Sequence, residues 1–321
     1  MAKDERLVCA VDIGGTKIAV DVMRCPGDAV PEAVYEAEVP TGAAEGGEAV
    51  YGRIEAAVLA ALAAAPGPVC GVGVGSAGVI DPHTGCVIYA NDIMPGWGEV
   101  ELGPRLAAAC GLPVAVLGDV QAHALGEAVW GAGRGCESVL CLGVGTGIGG
   151  ALVIDGRVVR GFHGAAGHMG HIESGAAAGI PCACGRTGHL ESVASGTSIG
   201  RLFDERHGRI HPERPSVGRD VAELMQAGDE RAIGVVQDAG RALGAALGSL
   251  TNIIDPQVIV LSGGVVQGMD GHGSTWWRDA LLEGFYSQAL DPLLDTPIVM
   301  GELGGLAPLI GAAEHLLGSL D

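Results

Sequence analysis

Positive charge is scarce in this chain. Lys and Arg number 18 against 38 Asp and Glu, giving a formal net charge of −20 over 321 residues. Phosphate backbones are held by matched Lys and Arg, so this balance argues against a nucleic acid or an anionic membrane surface as partner. It does not exclude a nucleotide, because backbone N–H groups and a divalent cation hold phosphates without basic side chains. No apolar run reaches membrane-spanning length, since Gly, Pro or a charge interrupts each one. No signal-peptide pattern precedes the cysteines, which are nine in number and scattered. A reducing, cytoplasmic compartment is therefore expected. No linker is long enough to separate independent modules.

What is present is a foldable α/β pattern. Apolar residues make up 48% of the chain, and the length exceeds one ordinary core, so two domains are expected. Strands at residues 7–11, 18–23, 69–74, 86–89, 113–117, 137–142, 151–154, 257–261 and 297–300 alternate with helices at 48–65, 98–110, 122–131, 217–227, 229–254 and 307–317. Residues 204–216 are polar and read as a loop.

The first strand runs into Asp12-Ile-Gly-Gly-Thr-Lys17. Ile18, Val20 and Val22 follow with strand period, so Gly14 and Gly15 join two strands. A P-loop would need a different spacing and a following helix. A plain hairpin turn is one reading of Gly14-Gly15. The flanking Asp12 and Thr16 favour a backbone cradle for phosphate. A second glycine stretch, Gly143-Val-Gly-Thr-Gly-Ile-Gly-Gly150, contains Gly-x-Gly-x-x-Gly. A dinucleotide fingerprint opens a helix, whereas here a strand and an Asp155-Gly156 hairpin turn follow. Strand, glycine turn and strand thus recur, and two similar halves each offer a turn to phosphate. This duplication resembles the actin/hexokinase-type ATPase fold.

Residues 167–196 gather metal-ligating types. Cys182, Cys184 and His189 lie close together, with His171 a short loop upstream. Thiolate and imidazole are the ligands zinc prefers, and four of them close a structural site. The other reading is two buried thiols beside two surface histidines. Gly185 and Gly188 favour the metal, because they let the chain fold back on a small ion.

The same stretch resembles the signature of the ROK family of sugar kinases, Glu-x-Gly-His followed by Cys-x-Cys-Gly-x-x-Gly-Cys-x-Glu. Here the second element reads Cys182-Ala-Cys-Gly-Arg-Thr-Gly-His189-Leu-Glu191, with His for the third Cys. The first reads His168-Met-Gly-His171, without the Glu. Residues 12–17 are similar to the family's first phosphate motif, 144–149 to its second, and 261–265 to its adenosine motif. The resemblance implies an α/β chain of two domains with a cleft between them. A small domain over 1–118 would be completed by a C-terminal helix at about 305–321, and a large domain over 119–304 would carry the zinc loop. It also implies transfer of phosphate from ATP, or in some members polyphosphate, to a hexose hydroxyl, commonly the 6-hydroxyl. Magnesium and a structural zinc are the implied cofactors, and a homodimer or tetramer the implied assembly.

Matched residue by residue, the resemblance makes Asp119 the catalytic base, although an Asp beginning a helix also suits an N-cap. Asp12 would orient magnesium or its waters. Gly14, Gly15, Thr16, Lys17, Gly145, Thr146, Gly147, Gly263 and Gly264 would line ATP; Lys17 also reads as a solvated strand residue. Asn91, Asp92, Asp119, His168, His171 and Glu191 would face the sugar. His171 would place one ring nitrogen on zinc and the other toward a hydroxyl.

Two positions depart from the family pattern. Gly118 stands where an Asn precedes the catalytic Asp, and His168 replaces the Glu. Asp92 adds a carboxylate. A site that has lost hydroxyl partners discriminates differently. The expected substrate is a glucose-like hexose or an amino-hexose such as kanosamine, in which Asp92 pairs with an ammonium. An ordinary glucokinase and a catalytically inactive sugar-binding regulator are the alternatives. A ROK-type repressor would carry an N-terminal DNA-binding module, for which there is no room before Asp12.

Overall fold

The computed structural model describes residues 5–90, 94–269 and 275–320. The first sheet contains β1 (Arg6–Ile13), β2 (Lys17–Cys25), β3 (Glu32–Pro40), β4 (Val69–Ser76) and β7 (Val114–Gly118). Between them come α1 (Gly47–Ala64), a two-stranded ribbon of β5 (Val79–Ile80) and β6 (Val87–Tyr89), and α2 (Leu102–Cys110); α3 (Asp119–Val129) follows β7. Strand order is β3-β2-β1-β4-β7. β1 pairs antiparallel with β2 and parallel with β4, which in turn pairs parallel with β7.

The near-continuous apolar run of β1 follows from burial on both faces. Cys9, Val11 and Ile13 enter a core with Val50, Ile54 and Leu106 from α1 and α2. Val8 and Ala10 enter another with Leu309, Ile310 and Leu316 of α10 (Ala307–Leu320). Glycine lets α10 lie close: a side chain at Gly73 of β4 would run into the Ala312 carbonyl.

The second sheet repeats the first in order. It contains β8 (Ser138–Val144), β9 (Ile148–Ile154), β10 (Arg157–Val158), β11 (Val258–Ser262) and β12 (Ile298–Met300). The order is β10-β9-β8-β11-β12, with β11 parallel to both β8 and β12. Between β10 and β11 come α4 (Glu191–Ala194), α5 (Gly196–His207), α6 (Gly218–Gln226) and α7 (Glu230–Ile254); α8 (Gly264–Met269) and α9 (Trp276–Tyr286) follow β11. Strand for strand this is the duplicated α/β pattern expected of the actin/hexokinase fold. α7 packs on α9 through Gly240, Gly244 and Gly248, where any side chain would meet α9 backbone. Asp155 and Gly156 adopt left-handed φ of 49° and 69°, the two-residue hairpin turn read from the sequence.

Two compact units emerge. One comprises residues 1–137, 151–167 and 302–321, the other 138–150 and 168–301. This differs from a boundary after residue 118. α3 packs on α10, where Gly126 and Gly311 let the two helix backbones approach, so it stays with the first sheet. The C-terminal helix joins the first unit.

Other differences are local. Residues 204–207 complete α5 rather than opening a loop, because Asp204 accepts from both the Ser216 N–H and its hydroxyl. β3, α8 and α9 lack the clean periodicity that would announce them. Among the described residues no helix is long and apolar enough to cross a membrane, and all nine cysteines are free thiols.

Candidate active site and metal centre

In the first unit, parallel strands deliver two carboxylates to one edge. Asp12 is the penultimate residue of β1 and Asp119 follows β7, with β4 between the two strands. Gly75 of β4 is the spacer: a Cβ there would lie 3.7 Å from both the Asp12 Oδ1 and the Asp119 Cα. Burial, then the Asp119 charge, pushes the Asp12 carboxyl up to about 7. A buried carboxylate beside a like charge is costly unless a cation joins it. The carboxyl ends of parallel strands are where open α/β sheets bind ligands.

Asp119 is not the helix N-cap. Gly118 holds that position, and Asp119 is the first residue of α3, its Oδ1 accepting from the Val120 N–H at 2.8 Å. Gly118 is not required by packing either. An added Cβ would meet nothing nearer than Gln121 Oε1 at 3.5 Å, an ordinary contact. Gln121 also donates to the carbonyls of Gly164 and Ala166, and the half-buried Arg160 guanidinium donates to those of Pro82 and Val116. Residues 160–166 are thereby pinned beside the carboxylate pair.

The Gly14 turn is closed by Gly14 N–H donating to the Lys17 carbonyl and braced by the buried Thr41 hydroxyl on the Gly14 carbonyl at 2.7 Å. Gly15 and Thr16 are exposed. Lys17 turns its ammonium to Glu38 of the neighbouring strand at 2.6 Å, with both side chains solvated. That placement is the one expected of a solvated strand residue. Thr41, on which the turn depends, was missed because it lies beyond a strand that the sequence did not announce.

In the second unit, the Gly145–Gly147 turn is braced from α4 and α5. Gly196 N–H donates to the Gly145 carbonyl, the Thr197 hydroxyl to the Thr146 carbonyl, and Ile148 N–H to Glu191 Oε2 at 2.8 Å. Glu191 thus supports the glycine turn with one oxygen, a role its sequence position did not suggest. Gly263, at φ 102°, sits against Val144 backbone, where no Cβ would fit, and α8 starts at Gly264.

The four Cys and His residues of this segment converge. Ligand atoms of His171, Cys182, Cys184 and His189 all lie within 4.8 Å of one another. Cys182 Sγ is 3.6 Å from His171 Nδ1, and Cys184 Sγ is 3.2 Å from His189 Nδ1. Those separations suit a tetrahedral ion with bonds of roughly 2.0–2.3 Å. Burial lowers the His171 pKa, favouring the neutral imidazole that binds a metal. The Arg186 backbone N–H lowers that of Cys184, favouring thiolate, whereas burial raises that of Cys182. His168 is exposed and stacks at 6.2 Å on the ring of His171. Asn91 and Asp92 lie outside the described residues.

With this geometry, the chain matches the ROK family over residues 8–316, and it belongs to that family. It is an ATP-dependent sugar kinase of the ROK type. It is 34% identical to a glucokinase of Halalkalibacterium halodurans over 83% of this chain and 82% of that protein. A ROK hexokinase from Thermus thermophilus superposes with a TM-score of 0.83 at 34% identity, covering 98% of this chain and 99% of that one. A Streptomyces griseus ROK glucokinase in complex with glucose and AMPPNP gives a TM-score of 0.78 at 30% identity, covering 96% and 98%.

Proposed function

We propose that this chain transfers the terminal phosphoryl group of ATP to the 6-hydroxyl of a glucose-like hexose in the cytoplasm, with Asp119 as general base. The carboxylate pair flanking Gly75 carries this reading. A sugar hydroxyl is a weak nucleophile, and phosphoryl transfer relies on positioning and charge neutralisation more than covalent chemistry. Asp119, oriented by the Val120 N–H, takes the hydroxyl proton. Asp12 holds the divalent cation or its waters, and Gly14, Gly15, Thr16, Gly145, Thr146 and Gly147 present backbone to phosphate. Gly263 and Gly264 flank the adenosine end. Magnesium, when bound, neutralises charge on the phosphates.

His171, Cys182, Cys184 and His189 hold a structural zinc. Its contribution is rigidity: it fixes the loop that presents His171 and Glu191 to sugar hydroxyls, rather than activating water.

The preferred sugar is an amino-hexose such as kanosamine. Gly118 lacks a hydrogen-bonding side chain at a position where a Cβ would make only ordinary contacts with Gln121. At 168 an exposed imidazole replaces a carboxylate. Asp92 supplies the charge for the ammonium. A charge-assisted pair contributes ~1.5–3 kcal/mol, roughly ten- to a hundredfold in preference. The test is a phosphorylation screen over glucose, its epimers and its amino sugars, with ATP and polyphosphate as donors, on wild type and Asp92→Asn. The amino sugar should lead on wild type and lose kcat/KM on Asp92→Asn while glucose is spared. Glucose leading on wild type, or equal losses on both sugars, rejects the amino-sugar assignment but leaves the kinase intact.

A further inference from the structure

We infer that the first unit carries an effector site for a sugar phosphate, at the end of its sheet opposite the carboxylate pair. β1 holds Asp12 as its penultimate residue and Arg6 as its first. Beside Arg6 opens a cavity of about 900 Å³, a size that small-molecule sites reach, at roughly 300–1,000 Å³. Its walls come from β1, the end of β2, the end of α3, the β9–β10 turn and the last turns of α10.

Three kinds of group line it, and together they match one ligand class. Leu125, Val129 and Trp130 supply apolar and aromatic surface for the C–H face of a sugar ring. Glu314 and Asp155 supply carboxylate oxygens for hydroxyls, and the Trp130 indole N–H steadies Glu314 by donating to its Oε1 at 2.7 Å. Arg6 and Arg157 supply guanidinium groups, the side chains best shaped to grip phosphate. Elsewhere in this acidic chain arginine meets carboxylate, as in Arg24 with Glu32, Arg105 with Glu48 and Arg214 with Asp220. Arg157 joins no salt bridge among the described residues. Arg160, three residues on, donates to the backbone carbonyls of Pro82 and Val116, and its buried Nε has no partner. Arginines bonded to no carboxylate favour the double charge of a phosphate ester over the single charge of a carboxylate.

His315 joins this cavity to the catalytic end. It lines the cavity, half-buried, and burial followed by the nearby Arg160 charge pushes its pKa down to about 4. Arg160 begins residues 160–166, whose Gly164 and Ala166 carbonyls accept from Gln121, two positions after Asp119. A phosphate seated against His315 gives Arg160 a rival to the Pro82 and Val116 carbonyls. Drawing Arg160 away releases the brace beside Asp119, so occupancy lowers turnover. α3 is a second connection, running from Asp119 to Val129 at the cavity. The effect on turnover rests on Asp119 as the base; binding does not.

Calorimetry on the full chain tests this, with glucose 6-phosphate as probe and the substrate sites filled by AMPPNP and an excess of the hexose it phosphorylates. Wild type should take up one probe per chain. Arg157→Glu, which reverses a charge, and Gly318→Trp, which fills the space from α10, should each take up none. Both positions are exposed and a Cβ at Gly318 meets nothing within 4 Å, so circular dichroism should show unchanged folds. With both substrates saturating, the probe should lower wild-type turnover severalfold and leave both variants as fast as without it. No uptake by the filled wild type overturns the proposal, since the probe then binds only as product. So does undiminished uptake by either folded variant, or a wild-type turnover that does not respond. Sugar phosphorylation without the probe is a separate readout, and a chain that keeps it but takes up no probe remains a kinase without this site.

Discussion

The carboxylate pair and the Cys/His cluster both gather groups that call for a cation, but they are built in opposite ways. Asp12 and Asp119 are placed by the ends of buried parallel strands, with sheet hydrogen bonds and two cores fixing their spacing. His171 closes a three-residue 3-10 helix and Cys182, Cys184 and His189 lie on loop, turn and isolated bridge, with no helix or strand between residues 178 and 190. The first arrangement keeps its shape without an ion and stores repulsion. The second rests on scattered loop hydrogen bonds, such as Cys182 N–H to the Arg186 carbonyl and Gly188 N–H to that of Ile180, to which an ion would add four strong bonds. Removing a cation should leave the one intact and loosen the other.

The largest effect is therefore expected at the cluster. Cys184→Ser should lose its bound zinc, present at one per chain in wild type purified without added metal, and should melt at a lower temperature, because structural zinc contributes folding energy directly. Elemental analysis and thermal denaturation check both. A metal-free chain that is fully folded and active would erase the contrast with the strand-built pair.

Next in size is Asp119→Asn. The exchange is nearly isosteric on a sheet-anchored position, so melting should barely change while turnover falls by ~10²–10⁴-fold. Binding of ATP and sugar, measured by calorimetry, should persist. A fall of only a few-fold would move the base elsewhere.

A smaller effect sharpens the idea of stored repulsion. In the folded chain Asp12 holds its proton to about 7, whereas an unfolded Asp releases it near ~4. The folded state binds the extra proton between those values, so this contribution to stability is full below ~4 and is lost as pH rises toward 7. Asp12→Asn should remove that loss. In metal-free protein the variant should gain stability over wild type at about pH 8, with the gain fading by about pH 4. Denaturant midpoints at the two pH values decide it, and a gain that is constant with pH would contradict the assignment.

The smallest effect is expected at Lys17. Its exposed ion pair with Glu38 is of a kind that contributes little, and its ammonium is engaged on the strand. Lys17→Ala should leave both melting and the KM for ATP unchanged. A large rise in KM would return Lys17 to the phosphate site.

Much of this architecture was legible in the residue order. The Gly14 and Gly145 turns, the Asp155-Gly156 hairpin and the rejection of a dinucleotide fingerprint depend on neighbours a few positions apart, where φ preference and strand period act. Cys182, Cys184 and His189 were conspicuous for the same reason. β3 and α9 were not, because their burial is set by distant partners: β2 for one, and the glycine face of α7 for the other.

The sequence by itself determined the two strand-turn-strand halves, the candidate carboxylates and the set of metal-ligating side chains, since each is written in local spacing. Tertiary structure alone decided that Asp12 and Asp119 flank one glycine, that α3 belongs with the first sheet, that Thr41 and Glu191 brace the two glycine turns, and that the Lys17 ammonium meets Glu38. Each of those joins residues at least 21 positions apart, or elements that meet only through packing. Local propensity carries no information about such pairings; the shared burial of sheet and helices creates them.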